Sequence, residues 1–206
     1  GNGRFVLDGR VYELDRNQAG KHTLHGGGRG LGKRAWQLAD RGRDHATFTV
    51  VTADGDQGFP GTLTATCTYR LLEPGTLRVE LSATTDAPTV CNLAHHSYFN
   101  LDGSADTLDH EIEIPADFIT PVDADLIPTG EIRPVEGTPF DLRRLRSIRH
   151  PGGEGGKPFH YDHNFVLQGR RPSVADPLHR AALVRSPKNG MTLVVETTEP
   201  GVQFYD

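Results

Sequence analysis

Two alternating runs, folded back on one another at a single turn, set the limits of what this chain can become. In residues 62–71 the apolar positions are Leu63, Ala65, Cys67, Tyr69 and Leu71; after Glu73-Pro74-Gly75 they are Leu77, Val79, Leu81 and Ala83. A two-residue period puts successive side chains on opposite faces of a strand, so this reads as an antiparallel pair with one face buried. Residues 4–7 and 10–14 flank Asp8-Gly9, a two-residue hairpin signal. Residues 110–114, 164–167, 182–186 and 191–198 read as further strands, the last two joined by Lys188-Asn189-Gly190. The 24 glycines and 14 prolines leave only short pieces between them. No segment sustains a 3.6-residue apolar period, and residues 142–148 read at most as a short helical turn. The expectation is all-β: a large antiparallel β-sandwich, residues 1–206 forming a single domain without linker or internal repeat.

The formal net charge is −5, with 24% charged and 35% hydrophobic residues. That is a globular composition, without the basic surface nucleic acid requires. No apolar run approaches the roughly 20 residues of a membrane span. The expected partner is a small molecule, not nucleic acid or membrane. Cys67 and Cys91 fall on separate expected strands and read as buried free thiols in preference to a disulfide. Few cysteines lean toward the cytoplasm.

Chemistry concentrates in residues 92–101, Asn-Leu-Ala-His-His-Ser-Tyr-Phe-Asn-Leu. The segment has the alternation of a buried strand, on which at most one of His95 and His96 points into any one site. An imidazole gives or takes a proton near neutrality, so a histidine held on a rigid strand suits general acid chemistry on a sugar; the bland alternative is a satisfied sheet histidine. Two Gly-rich loops stand out, Leu24-His25-Gly26-Gly27-Gly28-Arg29-Gly30 and residues 151–157, where glycine lets backbone pass close to a ligand. Residues 27–33 have the spacing of a phosphate loop, but Arg34 stands where a serine or threonine is needed, and no strand-to-helix context surrounds them. His160, Asp162 and His163 fit no closed zinc site; Asp162 reads as a carboxylate facing a pocket. Trp36 reads as a core residue sooner than a sugar platform. A nucleophile elbow is missing from the sequence.

In their joint order, several stretches resemble the aldose 1-epimerase (mutarotase) family: His22-Thr23-Leu24-His25-Gly26-Gly27; Lys33-Arg34-Ala35-Trp36; Gly58-Phe59-Pro60-Gly61; residues 92–101; Ile119-Thr120-Pro121-Val122-Asp123; Leu126-Ile127-Pro128-Thr129-Gly130-Glu131; Thr138-Pro139-Phe140-Asp141-Leu142-Arg143; Asp162-His163-Asn164-Phe165; and Pro200-Gly201-Val202-Gln203-Phe204-Tyr205. The resemblance implies a galactose mutarotase-like β-sandwich that interconverts the α and β anomers of free aldohexoses such as galactose and glucose, with no cofactor or metal. It places a sugar-contacting histidine at His25, the general acid at His96, and polar sugar contacts at Asp162 and Gln203. Position 95 is usually Asn in the family. The family's Gly-Arg-x-x-Asn-Arg segment would lie just before Gly1, and its general-base glutamate beyond Asp206; neither Glu196 nor Glu199 matches that glutamate's motif. The chain is therefore expected to be a fragment that carries the acid without the base and is impaired as a catalyst. Two other readings stay open: a non-catalytic carbohydrate-binding module, and a phosphosugar epimerase, which would need arginines such as Arg29, Arg143 and Arg144 to converge on a phosphate.

Overall fold

Asp8 and Gly9 both adopt left-handed backbone angles, φ 50° and 74°, the geometry that folds one strand tightly onto the next. They turn Arg4–Leu7 (β1) back against Arg10–Glu13 (β2), pairing Phe5 with Tyr12 so that their rings stack at 5.2 Å. The computed structural model describes residues 1–153, 155, 157–168 and 178–206, in two units, Gly1–Ser97 and Tyr98–Asp206. The rest, including Glu154 and Gly156 of the second Gly-rich loop, lies outside the described residues.

Gly1–Ser97 also holds a four-stranded antiparallel sheet of Gln37–Arg41 (β3), His45–Thr52 (β4), Leu63–Leu72 (β5) and Thr76–Thr85 (β6), in that order. The expected ladder forms over its whole length, from Leu63↔Thr85 to Leu72↔Thr76. Cross-strand register gathers Thr47, Thr49, Thr64, Thr66 and Thr68 on one face, where the Thr47 and Thr68 hydroxyls bond at 2.9 Å. The other face carries Val50, Ala65 and Cys67, all buried. The single buried face expected from the alternation closes only over the middle of the two central strands; Leu71, near the end of β5, is 64% exposed. Leu38 on β3 and Leu77 and Leu81 on β6 remain 51%, 48% and 37% exposed. The physical reason is position: β3 and β6 are the outer strands of this sheet, and alternation alone does not say which strand is central.

Among its described residues Tyr98–Asp206 holds eight strands: Glu111–Glu113 (β7), Ala116–Thr120 (β8), Arg133–Pro134 (β9), Arg146–Ser147 (β10), Asp162–Leu167 (β11), His179–Arg185 (β12), Thr192–Thr197 (β13) and Gly201–Tyr205 (β14). They form two antiparallel sheets, ordered β10-β7-β12-β13 and β14-β11-β8-β9. Ile112 and Ala182 of the first sheet join Ile119 and Phe165 of the second in one buried cluster with Leu142 and Tyr161. Two sheets that meet through their apolar faces are the sandwich expected from the sequence. Tyr161 is fully buried, and its hydroxyl satisfies itself by donating to the Pro139 carbonyl at 2.9 Å.

Three local readings change. Residues 142–148 form no helical turn: the Leu142 carbonyl accepts from the Ile114 amide at 2.7 Å and the Ile148 amide donates to His110 at 2.9 Å, so their bonding runs across to the β7 neighbourhood. Residues 92–101 are not a strand; they run as irregular, mostly exposed chain without a ladder partner among the described residues. Both cysteines are free, but only Cys67 is buried; Cys91, just before that irregular stretch, is exposed.

Truncating the core tests this packing: Phe165→Ala should lower unfolding free energy by about 3–5 kcal/mol, and Tyr161→Phe by about 1 kcal/mol, both read from urea denaturation. Two histidines give opposite pH signatures. His45, where β3 turns into β4, lies 3.0 Å from Asp44 and 3.0 Å from Asp40, and hydrogen bonding to Asp44, then Asp40, raises its pKa. His163 on β11 is pushed down by burial beside the Phe140 ring. The His45 contribution to stability is complete below the ordinary histidine value near 6.5 and disappears as pH rises through its raised folded pKa. The His163 contribution is complete above about 6.5 and disappears as pH falls through its lowered folded pKa. NMR titration should therefore place His45 above and His163 below the ordinary value, and His45→Gln should destabilise the chain more at low pH than at high. Titration in the reverse order would contradict these environments.

Candidate active site

The loop around His25 is built from backbone that only glycine accepts easily. His25, Gly26 and Gly27 are consecutively left-handed, φ 50°, 78° and 94°. A Cβ at Gly27 would lie 2.8 Å from Gln57 Oε1, and one at Gly30 would lie 2.0 Å from the His25 carbonyl oxygen, so both must be glycine. Two amides of this loop are taken by side chains of the chain itself. Gly28 N–H donates to Asp15 Oδ2 at 2.6 Å, and Arg29 N–H donates to Gln57 Oε1 at 2.8 Å. A carboxylate of the chain itself thus occupies one position an anion would seek in a phosphate-binding loop. The Arg34 guanidinium pairs with Asp56. Trp36 is half-buried, with its indole N–H donating to the Leu31 carbonyl at 3.0 Å; it braces the neighbouring turn and is not part of the core.

His25 meets His96. Their rings stand edge to face, centroids 5.2 Å apart and planes at 84°. Its neighbour His95 turns elsewhere, against the Tyr69 ring at 5.8 Å, with Nε2 3.0 Å from the Ser97 hydroxyl. The two adjacent histidines therefore diverge, as alternation suggested, although no strand carries them. Both are exposed to solvent, and proton exchange with a bound molecule requires that access.

In Tyr98–Asp206, Asp162 opens β11 and Gln203 lies on β14. The antiparallel register sets Asn164 opposite Gln203 and Asp162 opposite Tyr205, and Gln203 Nε2 donates to Asp162 Oδ1 at 2.8 Å. Two polar side chains 41 positions apart are thereby joined. The neighbouring histidines do not converge on them: His163 packs on Phe140, ring centroids 4.5 Å apart, and His160 lies 3.5 Å from Asp206. Among the described residues no group of three or more His, Cys, Asp or Glu is placed to hold a metal ion.

Sequence reasoning missed the residues that brace these segments. Asp15 and Gln57 hold the Gly-rich loop, and Asn17 holds Leu24. After the His95-His96 stretch, Asp102 accepts from the Ser104 hydroxyl, from Ser186 Oγ at 2.6 Å and from the Ser104 amide at 2.9 Å. The Ser104 and Ser186 hydroxyls hold its carboxyl well below the usual carboxylate range. Short polar side chains beside Gly-rich stretches were the available signal, but it names neither partner nor direction.

Comparison with known proteins follows the same lines. The chain is 43% identical over 211 residues to a galactose mutarotase of Rattus norvegicus, covering 98% of this chain and 57% of that protein. It is 38% identical to an aldose 1-epimerase of Escherichia coli K12, covering 99% and 59%. Among solved structures it matches an aldose epimerase homologue from C. elegans with a TM-score of 0.90 at 31% identity, over 99% of this chain and 61% of that one. A galactose 1-epimerase from Lactobacillus acidophilus matches with a TM-score of 0.80 at 28% identity, over 98% and 59%. The chain thus spans a little under three fifths of the curated relatives' length. The aldose 1-epimerase family model matches residues 1–206, and with strands, loops and motifs following one order throughout, the chain belongs to the aldose 1-epimerase family.

Proposed function

We propose that this chain supplies the acid and the sugar-orienting contacts of an aldose 1-epimerase that interconverts the α and β anomers of free aldohexoses. The observation that carries the reading is the His25–His96 pair, two solvent-exposed imidazoles brought together from loops some 70 residues apart in sequence. In the proposed reaction His96 gives its proton to the pyranose ring oxygen while a general base, by the family resemblance a glutamate that neither Glu196 nor Glu199 matches, takes the proton of the anomeric hydroxyl; both protons return when the ring recloses. The ring opens to an aldehyde, which turns about its first carbon–carbon bond and recloses with the opposite configuration. A well-placed acid contributes on the order of 10²–10⁴-fold. His25, Asp162 and Gln203 hold the sugar through directional hydrogen bonds, which fix orientation because an unmet polar group is costly once buried. No cofactor enters this scheme.

Free sugars fit better than phosphosugars. Asp15 and Gln57 already take the Gly28 and Arg29 amides. Arg143 is committed to Asp141 at 2.7 Å and Asp117 at 3.3 Å, which holds its pKa far above the ordinary arginine value, chiefly through Asp141. Two unpaired cysteines suit a reducing compartment such as the cytoplasm.

Polarimetry with α-galactose tests the assignment. In an enzyme that carries the general base together with residues 1–206, His96→Asn should slow anomer exchange about tenfold or more with the circular dichroism spectrum unchanged; an undiminished rate would reject His96 as the acid. Rates on glucose should exceed those on glucose 6-phosphate, and the reverse order would favour the phosphosugar reading. Galactose binding by calorimetry with no measurable anomer exchange, in a protein that also carries the general base, would support a carbohydrate-binding module instead.

A further inference from the structure

His25 occupies a backbone conformation that residues carrying a Cβ disfavour, φ 50°, so something must hold it there. One side chain grips the residue immediately before it from both sides. Asn17 Nδ2 donates to the Leu24 carbonyl at 2.9 Å, and Asn17 Oδ1 accepts from the Leu24 amide at 2.8 Å. A carboxamide is suited to this grip because it carries a donor and an acceptor side by side. A second tie lies one residue earlier, where the Thr23 hydroxyl donates to the Asp15 carbonyl at 2.8 Å. A third follows His25, where Asp15 and Gln57 take the Gly28 and Arg29 amides. Asn17 is exposed, and Leu24 is 42% exposed. The grip therefore buries little apolar surface, and its visible consequence is the direction of the chain entering His25.

We infer that Asn17 is a positioning residue: it clamps Leu24 so that the left-handed His25 presents its ring to His96 and to a sugar. The inference rests on the reading of His25 as a sugar contact, and the experiment separates the two. Wild type, Asn17→Ala, Asn17→Asp and His25→Ala are compared as the whole chain by three measurements: thermal midpoint, the nuclear Overhauser effect between the His25 and His96 ring protons, and galactose affinity by calorimetry. Asn17→Ala should keep the midpoint within about 4 °C of wild type, a change of roughly 1 kcal/mol or less, yet lose the ring-to-ring signal and bind galactose about fivefold more weakly, the loss of part of one polar contact. Asn17→Asp, which can accept from the Leu24 amide but cannot donate to its carbonyl, should fall between. An Asn17→Ala protein that keeps both the ring-to-ring signal and the affinity overturns the clamp, as does one that loses the signal while binding galactose normally when His25→Ala binds weakly. If His25→Ala binds galactose as well as wild type, the sugar-contact reading fails, and the ring-to-ring signal alone decides the clamp. That signal also decides it if the wild-type chain gives no heat with galactose.

Discussion

Backbone amides that no strand takes up must find another acceptor, and in this chain the acceptor is repeatedly a short acidic or amide side chain. Asp54 takes the Gly61 amide at 2.6 Å, Asp86 takes that of Thr62 at 2.7 Å, and Asp123 takes those of Asp125 and Ile127. Asp15, Asn17 and Gln57 do the same around His25, and Asp102 does it after His96. These bonds tie down connections that no strand ladder orders. This requirement helps explain an acidic chain: many of its carboxylates face its own backbone and are not available for a ligand.

The same economy limits the chemistry the loops can perform. A Gly-rich stretch with free amides would be an anion site; here the Gly28 and Arg29 amides are spent on Asp15 and Gln57, and the His25 imidazole is left exposed. Histidines elsewhere show how far local surroundings divide one residue type. His45 is drawn toward the charged form by Asp44 and Asp40, His163 toward the neutral form by burial, and His95 and His96, adjacent in sequence, turn to different neighbours.

Strand propensity was legible where alternation was strong. The β1–β2 and β5–β6 pairs and strands β7, β11 and β13 stand within a residue or two of their expected places, and β12 begins three residues before its own, whereas β3, β4, β8, β9, β10 and β14 were not singled out. Alternation failed at residues 92–101, where a strand-like pattern lies on chain without a ladder, and at residues 142–148, where apolar residues anchor an irregular path into the core. In both cases the deciding factor was whether another segment arrived to pair with the backbone, and no local pattern contains that information.

The sequence by itself determined that the chain is β-rich, that its turns fall at Asp8-Gly9 and Glu73-Pro74-Gly75, and which residue types carry chemistry, because a two-residue period and the conformational freedom of glycine are local properties. Only the tertiary structure decided that β5 is central and β6 an outer strand, that Gln203 bonds Asp162, that Asp15 fills its own Gly-rich loop, and that His25 meets His96 edge to face. Each of these depends on residues far apart in sequence arriving at one place. Strand order and register settle that, and they follow from the burial and hydrogen bonding of the whole chain.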